Sequence, residues 1–342
     1  MKTLTVTATV LLALCVLFGV FSPKEDFLRF HASVHDAPGA PVLGSPLPLI
    51  GIAALPVALL CGYDIVTEHM LTEYERQLPH DPETGLMYDA EPCYLGPLDS
   101  PRAVLLVHGF VGAGSNFNRL PDELAKRGWR VRVMLLPGHG TTPRNLEQVT
   151  ADSLITSVRD ELALLRKTHG TVAIIGHSMG GALAAIVASE GGVDRLVLCA
   201  PYFAVTHKWY YFLKPETWVD ITKPVVRWVR KTDDFIQVNR REAIDQIVSY
   251  EFVPVRSIDV LNEIGERSRG DDVLGRISCP VLMLHGRGDE AASFEVSRRA
   301  FESIGSTDKR FITFERSNHH LFFDYERDEV VGEIIRFLDT DR

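Results

Sequence analysis

Gly176-His177-Ser178-Met179-Gly180 sets a serine between two glycines, after the apolar run Val172-Ala173-Ile174-Ile175 and before Gly181-Ala182-Leu183-Ala184-Ala185. This is G-x-S-x-G between a strand and a helix, the context of a nucleophile elbow. A serine on so sharp a turn adopts an unusual backbone conformation, and its neighbours must lack side chains that would clash. The turn lifts Oγ above the sheet at the start of the next helix, where free N–H groups favour developing negative charge. The bland alternative is a glycine-rich strand–helix turn without chemistry. A serine hydroxyl is a weak nucleophile, so it needs a base, and the base needs an orienting carboxylate. The order Ser, Asp/Glu, His belongs to nucleophiles on such elbows. The chain supplies His285-Gly286-Arg287-Gly288-Asp289-Glu290 after the run Val281-Leu282-Met283-Leu284, then Ser317-Asn318-His319-His320. Asp289 is the expected acid, with Glu290 in reserve, and His319 the expected base, with His320 as its rival. His108-Gly109-Phe110 ends an earlier strand, and the N–H groups of Phe110 and Met179 are the expected oxyanion donors. His108, His139 and His177 read as structural histidines.

These groups need a rigid frame. Strand-like runs are expected at Arg102–Val107, Trp129–Leu136, Thr171–Gly176, Arg195–Cys199, Val281–Leu284 and Arg310–Phe314. Helical patterns lie at Leu120–Arg127, Ser153–Lys167, Gly180–Ser189 and Asp328–Leu338; Leu154, Val158, Leu162 and Leu165 form one stripe. Apolar strands alternating with helices imply an α/β fold, a mostly parallel central sheet with helices on both faces. The rhythm breaks over residues 202–272, which carry Tyr202, Phe203, Trp209, Tyr210, Tyr211, Phe212, Trp218 and Trp228. That stretch reads as a helical cap insertion over the C-terminal edge of the sheet. Its aromatics fit an apolar acyl pocket, or equally packing of the insertion itself. The expected domains are a hydrophobic N-terminal region 1–62, a linker or extension 63–101, a core of 102–201 with 273–342, and the cap 202–272.

From about Arg102 to Leu338 the chain resembles the α/β-hydrolase superfamily, and within it bacterial carboxylesterases and monoacylglycerol lipase-like enzymes. His108-Gly109-Phe110, Leu136-Pro137-Gly138-His139-Gly140, Gly176 to Gly181, Gly286 to Asp289 and Ser317 to His319 carry the resemblance. It implies hydrolysis of a carboxylic ester through an acyl-serine intermediate, without a cofactor. The same triad serves thioesterases, amidases, acyltransferases and cofactor-free haloperoxidases. A non-catalytic, membrane-tethered binding module is a further alternative, although a binder gains nothing from a strained elbow. Dehalogenases and epoxide hydrolases have Asp where this chain has Ser178. The chain departs from the small esterases in its long N-terminus. It also departs in Asn318-His319-His320, where Gly-His and an apolar residue are common.

The 342 residues carry a net charge of −9 without any Lys/Arg-rich block, so the footprint of a nucleic-acid binder is absent. The 5 cysteines, Cys15, Cys61, Cys93, Cys199 and Cys279, form no CxxC pair, and no motif suggests a metal site. Cys199 and Cys279 read as buried thiols. Leu4–Phe21 is a run of 18 uncharged residues, near the lower limit for a membrane span. Val42–Gly62 is also uncharged but contains Pro46, Pro48 and Pro56. The expectation is membrane anchoring through one or both runs, with export after signal cleavage as the alternative. The expected partner is a small ester with an apolar acyl group.

Overall fold

The computed structural model describes residues 46–206 and 215–340. Among them the helices are α1 (Pro46–Gln77), α2 (Leu120–Lys126), α3 (Pro143–Glu147), α4 (Ala151–Arg166), α5 (Met179–Ser189), α6 (Pro215–Thr222), α7 (Val255–Ser268), α8 (Asp271–Leu274), α9 (Phe294–Ser303) and α10 (Arg327–Asp339). The strands are β1 (Cys93–Leu95), β2 (Arg102–Val107), β3 (Arg130–Val133), β4 (Thr171–His177), β5 (Arg195–Cys199), β6 (Trp228–Arg230), β7 (Phe252–Pro254), β8 (Val281–Gly286) and β9 (Lys309–Phe314). Two compact units are present: Met1–Glu73 with Lys208–Val229, and Tyr74–His207 with Arg230–Arg342.

The larger unit is built on a 7-stranded sheet of order β1-β3-β2-β4-β5-β8-β9. Strand pairs are parallel from β3 through β9, and β1 joins antiparallel to β3. The two-residue period of a strand sends alternate side chains to opposite faces. Ala103, Leu105, Val107, Val172, Ile174, Leu196, Leu198 and Met283 enter one core. Val104, Leu106, Ala173, Ile175, Val197, Leu282 and Leu284 enter the other. Apolar residues on both faces require helices on both, which is the α/β architecture expected.

Helix α4 starts at a capping box in which Thr150 and Ser153 satisfy each other's backbone N–H. It buries Leu154, Val158, Leu162 and Leu165, the expected stripe. Every residue of α5 is buried, which is why its composition is small and apolar rather than amphipathic.

Two boundaries differ from the sequence reading. Residues 63–101 are more than a linker, because β1 lies within them and extends the sheet edge. Residues 202–272 are not one helical cap. They hold the short strands β6 and β7 and the helix α7, whose Ile264 belongs to the core around α5. A Cβ at Gly265 would lie 3.0 Å from the Phe203 carbonyl, so the missing side chain permits close packing there. Only Lys208–Val229 parts from the larger unit.

In the smaller unit the Arg227 backbone N–H donates to Asp64 (2.6 Å) and the Trp228 indole to Glu68 (2.5 Å). Val57, Leu59, Ile65 and Val66 of α1 are exposed. No helix among the described residues is long and apolar enough to cross a membrane. Leu4–Phe21, the start of the second uncharged run and Trp209–Phe212 lie outside the described residues.

Candidate active site

Strand β4 delivers Ser178 to the top of the sheet, and α5 begins at the next residue. Ser178 has φ 54° and ψ −121°, a conformation that costs energy for any residue but glycine. The elbow is held by Ser178 N–H donating to the Cys199 carbonyl at 3.0 Å, while the Ser178 carbonyl accepts from Gly181 and Tyr202, both at 2.9 Å. Its glycines answer to sterics. A Cβ at Gly176 would run into the Gly180 carbonyl, and one at Gly180 into the Val107 carbonyl.

The loop after β8 brings Asp289, and the loop after β9 brings His319. His319 Nε2 lies 2.8 Å from Ser178 Oγ, and His319 Nδ1 lies 2.8 Å from Asp289 Oδ2. With Nδ1–H donating to Asp289, Nε2 is left to accept the serine proton. All three side chains are buried. Asp289 Oδ1 also accepts the backbone N–H groups of Ala291 (2.9 Å) and Ala292 (2.8 Å). His285 Nε2 stands 3.2 Å from Oδ2. Burial alone would raise the Asp289 carboxyl, but the charges and hydrogen bonds of His319 and His285 hold it well below the usual carboxylate range. Glu290 is exposed, and its backbone N–H donates to Asn318 Oδ1 at 3.1 Å.

Gly109 packs so closely that a Cβ there would sit 3.0 Å from Ser178 Cβ. The next residue is Phe110, and neither its N–H nor that of Met179 donates to another group among the described residues. Phe110 and Met179 line a narrow crevice with His139, Leu146, Val149, Leu154, Ser257 and Val260.

The remaining histidines hold the frame. His108 Nδ1–H donates to the Gly109 carbonyl at 2.9 Å, and Nε2 accepts the Leu136 N–H at 3.0 Å. His139 Nδ1–H donates to the Pro137 carbonyl at 2.9 Å. His177 Nε2–H donates to the His319 carbonyl at 3.1 Å, steadying the loop of the base. Burial lowers these imidazoles to about 3, 4 and 3 respectively, so all three are neutral. His320 points elsewhere: its ring centroid is 5.5 Å from that of His319, and no hydrogen bond joins it to Ser178 or Asp289.

Several supporting residues escaped the sequence reading. Asn318 Oδ1 accepts the His319 N–H at 2.9 Å. Asp324, fully buried, accepts the backbone N–H groups of Asn239, Arg240 and Asn318. Glu326 accepts from the Ser317 hydroxyl at 2.7 Å and from the Arg316 N–H at 2.9 Å. A charge persists in a core only with partners, and these carboxylates find theirs in the backbone of the base loop. Among the described residues no cluster of His, Cys, Asp and Glu is placed to hold a metal ion.

The family model described as serine aminopeptidase, S33, matches residues 99–326. A thermostable monoacylglycerol lipase of Bacillus sp. (strain H-257) is 27% identical over 251 residues, covering 73% of this chain and 94% of that lipase. A carboxylesterase of Bacillus subtilis (strain 168) is 22% identical over 240 residues, covering 70% of this chain and 92% of the esterase. Among solved structures, a metagenome-derived lipolytic enzyme from the pair LipS and LipT superposes with a TM-score of 0.66 at 23% identity, covering 74% of this chain and 98% of that one.

Proposed function

The chain belongs to the serine aminopeptidase S33 family, and from that premise we propose that it is a serine hydrolase of carboxylic esters, acting through an acyl-serine intermediate. The observation that carries the mechanism is the continuous relay from Ser178 Oγ through His319 to Asp289, with both contacts at 2.8 Å. Ser178 attacks the ester carbonyl as His319 Nε2 takes its proton. Asp289 keeps His319 in the reactive tautomer and stabilises its cationic form. The oxyanion is held by the N–H groups of Phe110 and Met179, reinforced by the N-terminus of α5. His319 then returns the proton to the departing alcohol. A water activated by the same imidazole releases the acid.

The choice of ester over peptide bond draws on the monoacylglycerol lipase and carboxylesterase relatives. An apolar acyl group draws on the same monoacylglycerol lipase relative and on the apolar side chains of Leu146, Val149, Leu154 and Val260 that pack beside Phe110 and Met179. A panel of nitrophenyl esters from acetate to palmitate, with matched thioesters and anilides, tests the reading. Esters are expected to turn over fastest; faster cleavage of the anilides would transfer the assignment to amide hydrolysis.

The location proposed is a membrane surface, reached through the N-terminal region. Its support is the uncharged run Leu4–Phe21 and the exposed Val57, Leu59, Ile65 and Val66. Full-length protein is expected to pellet with membranes and resist carbonate extraction, while a chain starting near Tyr63 stays soluble and active. Full-length protein in the soluble fraction with Met1 intact would refute the anchor.

A further inference from the structure

We propose that Lys231, Ser249 and His320 form a subsite beside Ser178 for an anionic group, phosphate or carboxylate, on the alcohol part of the ester. The proposal rests on the ester-hydrolase reading and adds to it the class of leaving group.

Two loops flank the reacting serine, and Lys231 is tied to the first. The first is the oxyanion loop after Phe110. Asn116 Nδ2 donates to the Val248 carbonyl, and the Val248 N–H donates to Asn116 Oδ1, both at 3.0 Å. The Tyr250 N–H donates to the Val111 carbonyl at 3.2 Å. Ser249 is thus fixed on either side against the segment that follows the Phe110 donor. Lys231 lies along the same strip, its N–H donating to the Glu251 carbonyl at 2.6 Å and its ammonium to Ser249 Oγ at 2.8 Å.

The second loop carries the base. The His320 ring lies 5.5 Å from that of His319 and 5.6 Å from that of His177. Its backbone N–H donates to the Gln237 carbonyl at 3.1 Å. The Lys231 charge is near enough to help depress the imidazole of His320, after burial and the neighbouring histidines.

The charges do not balance around this lysine. Among the described residues no carboxylate pairs with Lys231. The carboxylates nearby are engaged elsewhere: Glu251 with Arg230, Asp324 with backbone N–H groups, Asp289 with His319. Burial lowers the ammonium to about 8. His320 Nδ1 is buried without a hydrogen-bond partner. A part-buried ammonium with one hydroxyl for company, and an imidazole with an unpaired buried nitrogen, are costly unless a ligand completes them. An anion with several acceptor oxygens would do so.

The geometry of the reaction assigns this group to the alcohol. The departing oxygen takes its proton from His319, so the alcohol lies on the side of the base, next to His320. Phe110 and Met179, on the oxyanion side, pack with one core layer. Leu321 and Phe322, which follow His320, belong to the other.

The test uses full-length protein in detergent and three lauroyl esters: 1-lauroylglycerol, 1-lauroylglycerol 3-phosphate and the lauroyl ester of glycerate. Their kcat/KM values are compared within each protein, so partial loss of folded enzyme cancels. The wild type is expected to prefer an anionic ester to the neutral one. Lys231→Met should lower that preference at least tenfold, and Lys231→Arg should keep it within about threefold. The phosphate and glycerate arms show which anion fits. As a measurement free of variants, glycerol 3-phosphate or glycerate should compete with the neutral ester in the wild type, and glycerol should not. Equal hydrolysis of all three esters, a preference unchanged in Lys231→Met, or no competition by either anion would overturn the subsite while leaving the esterase reading intact. Failure to hydrolyse any ester would overturn both.

Discussion

Replacing Asp289 by Asn removes one charge and almost no volume, so its effect isolates the tautomer of His319. In the wild type Oδ1 accepts two backbone N–H groups at 2.9 and 2.8 Å, while Oδ2 faces His319 Nδ1 at 2.8 Å and His285 Nε2 at 3.2 Å. The asparagine NH₂ must take one of these places. At Oδ1 it would oppose two fixed donors, costing about 1–3 kcal/mol for each polar group left unsatisfied. At Oδ2 it faces imidazoles that can move their protons. The amide therefore settles with NH₂ toward His319, and Nδ1 becomes an acceptor. The proton then sits on Nε2, pointing at Ser178, where no base remains. A loss of about ten-thousand-fold in kcat is expected, equivalent to about 5.4 kcal/mol in the barrier. The assay is hydrolysis of a short nitrophenyl ester, with thermal unfolding as the control for folding. Activity within tenfold of wild type would refute the reasoning. If Glu290→Gln were the damaging change instead, the acid would be the next residue along.

His319→Gln should lose several orders of magnitude on a neutral short-chain ester, whereas His320→Gln should cost less than about tenfold, roughly 1.4 kcal/mol; the reverse order would move the base. Gly180→Ala pushes a methyl group against the carbonyl oxygens of Val107 and His108. Overpacking of about 1–3 kcal/mol and a clear fall in Tm are expected, with about a hundred-fold loss of kcat if the elbow shifts by about 1 Å; an unperturbed variant would show that the elbow has room. His108, His139 and His177 are lowered by burial to about 3, 4 and 3, against about 6.5 when unfolded. The unfolded chain binds more protons between these values, so stability should fall as pH drops from about 6.5 toward 4. The slope is roughly 1.4 kcal/mol per pH unit for each histidine. Urea unfolding at pH 7 and 5 measures it, and equal stability at both would contradict neutral burial.

The chemistry was legible where it is local. Ser178 announced itself because an elbow needs glycines within a few residues, and Asp289 and His319 because strand ends confine them. Register alone separates His319 from His320 in the sequence, and the fold places His319 Nε2 against Oγ. The supports of that loop were hidden because their partners are distant: Asp324 receives the N–H groups of Asn239 and Arg240, 85 and 84 residues away. Cys93–Leu95 offered three residues and no apolar run, so an edge strand passed for a linker. The cap was drawn too wide for a different reason. The stripe of α7 looks like that of any amphipathic helix, and only Gly265 against Phe203 reveals that it packs into the core. The N-terminal runs remain a matter of composition, since Leu4–Phe21 lies outside the described residues.

The central claim is that Ser178 is acylated during turnover. Mass spectrometry of the protein after a fluorophosphonate measures it most directly. One adduct per chain is expected, mapped to Ser178, with ester hydrolysis lost in proportion and no adduct on Ser178→Ala. Full ester hydrolysis by a chain labelled at Ser178, or by Ser178→Ala, would contradict the account.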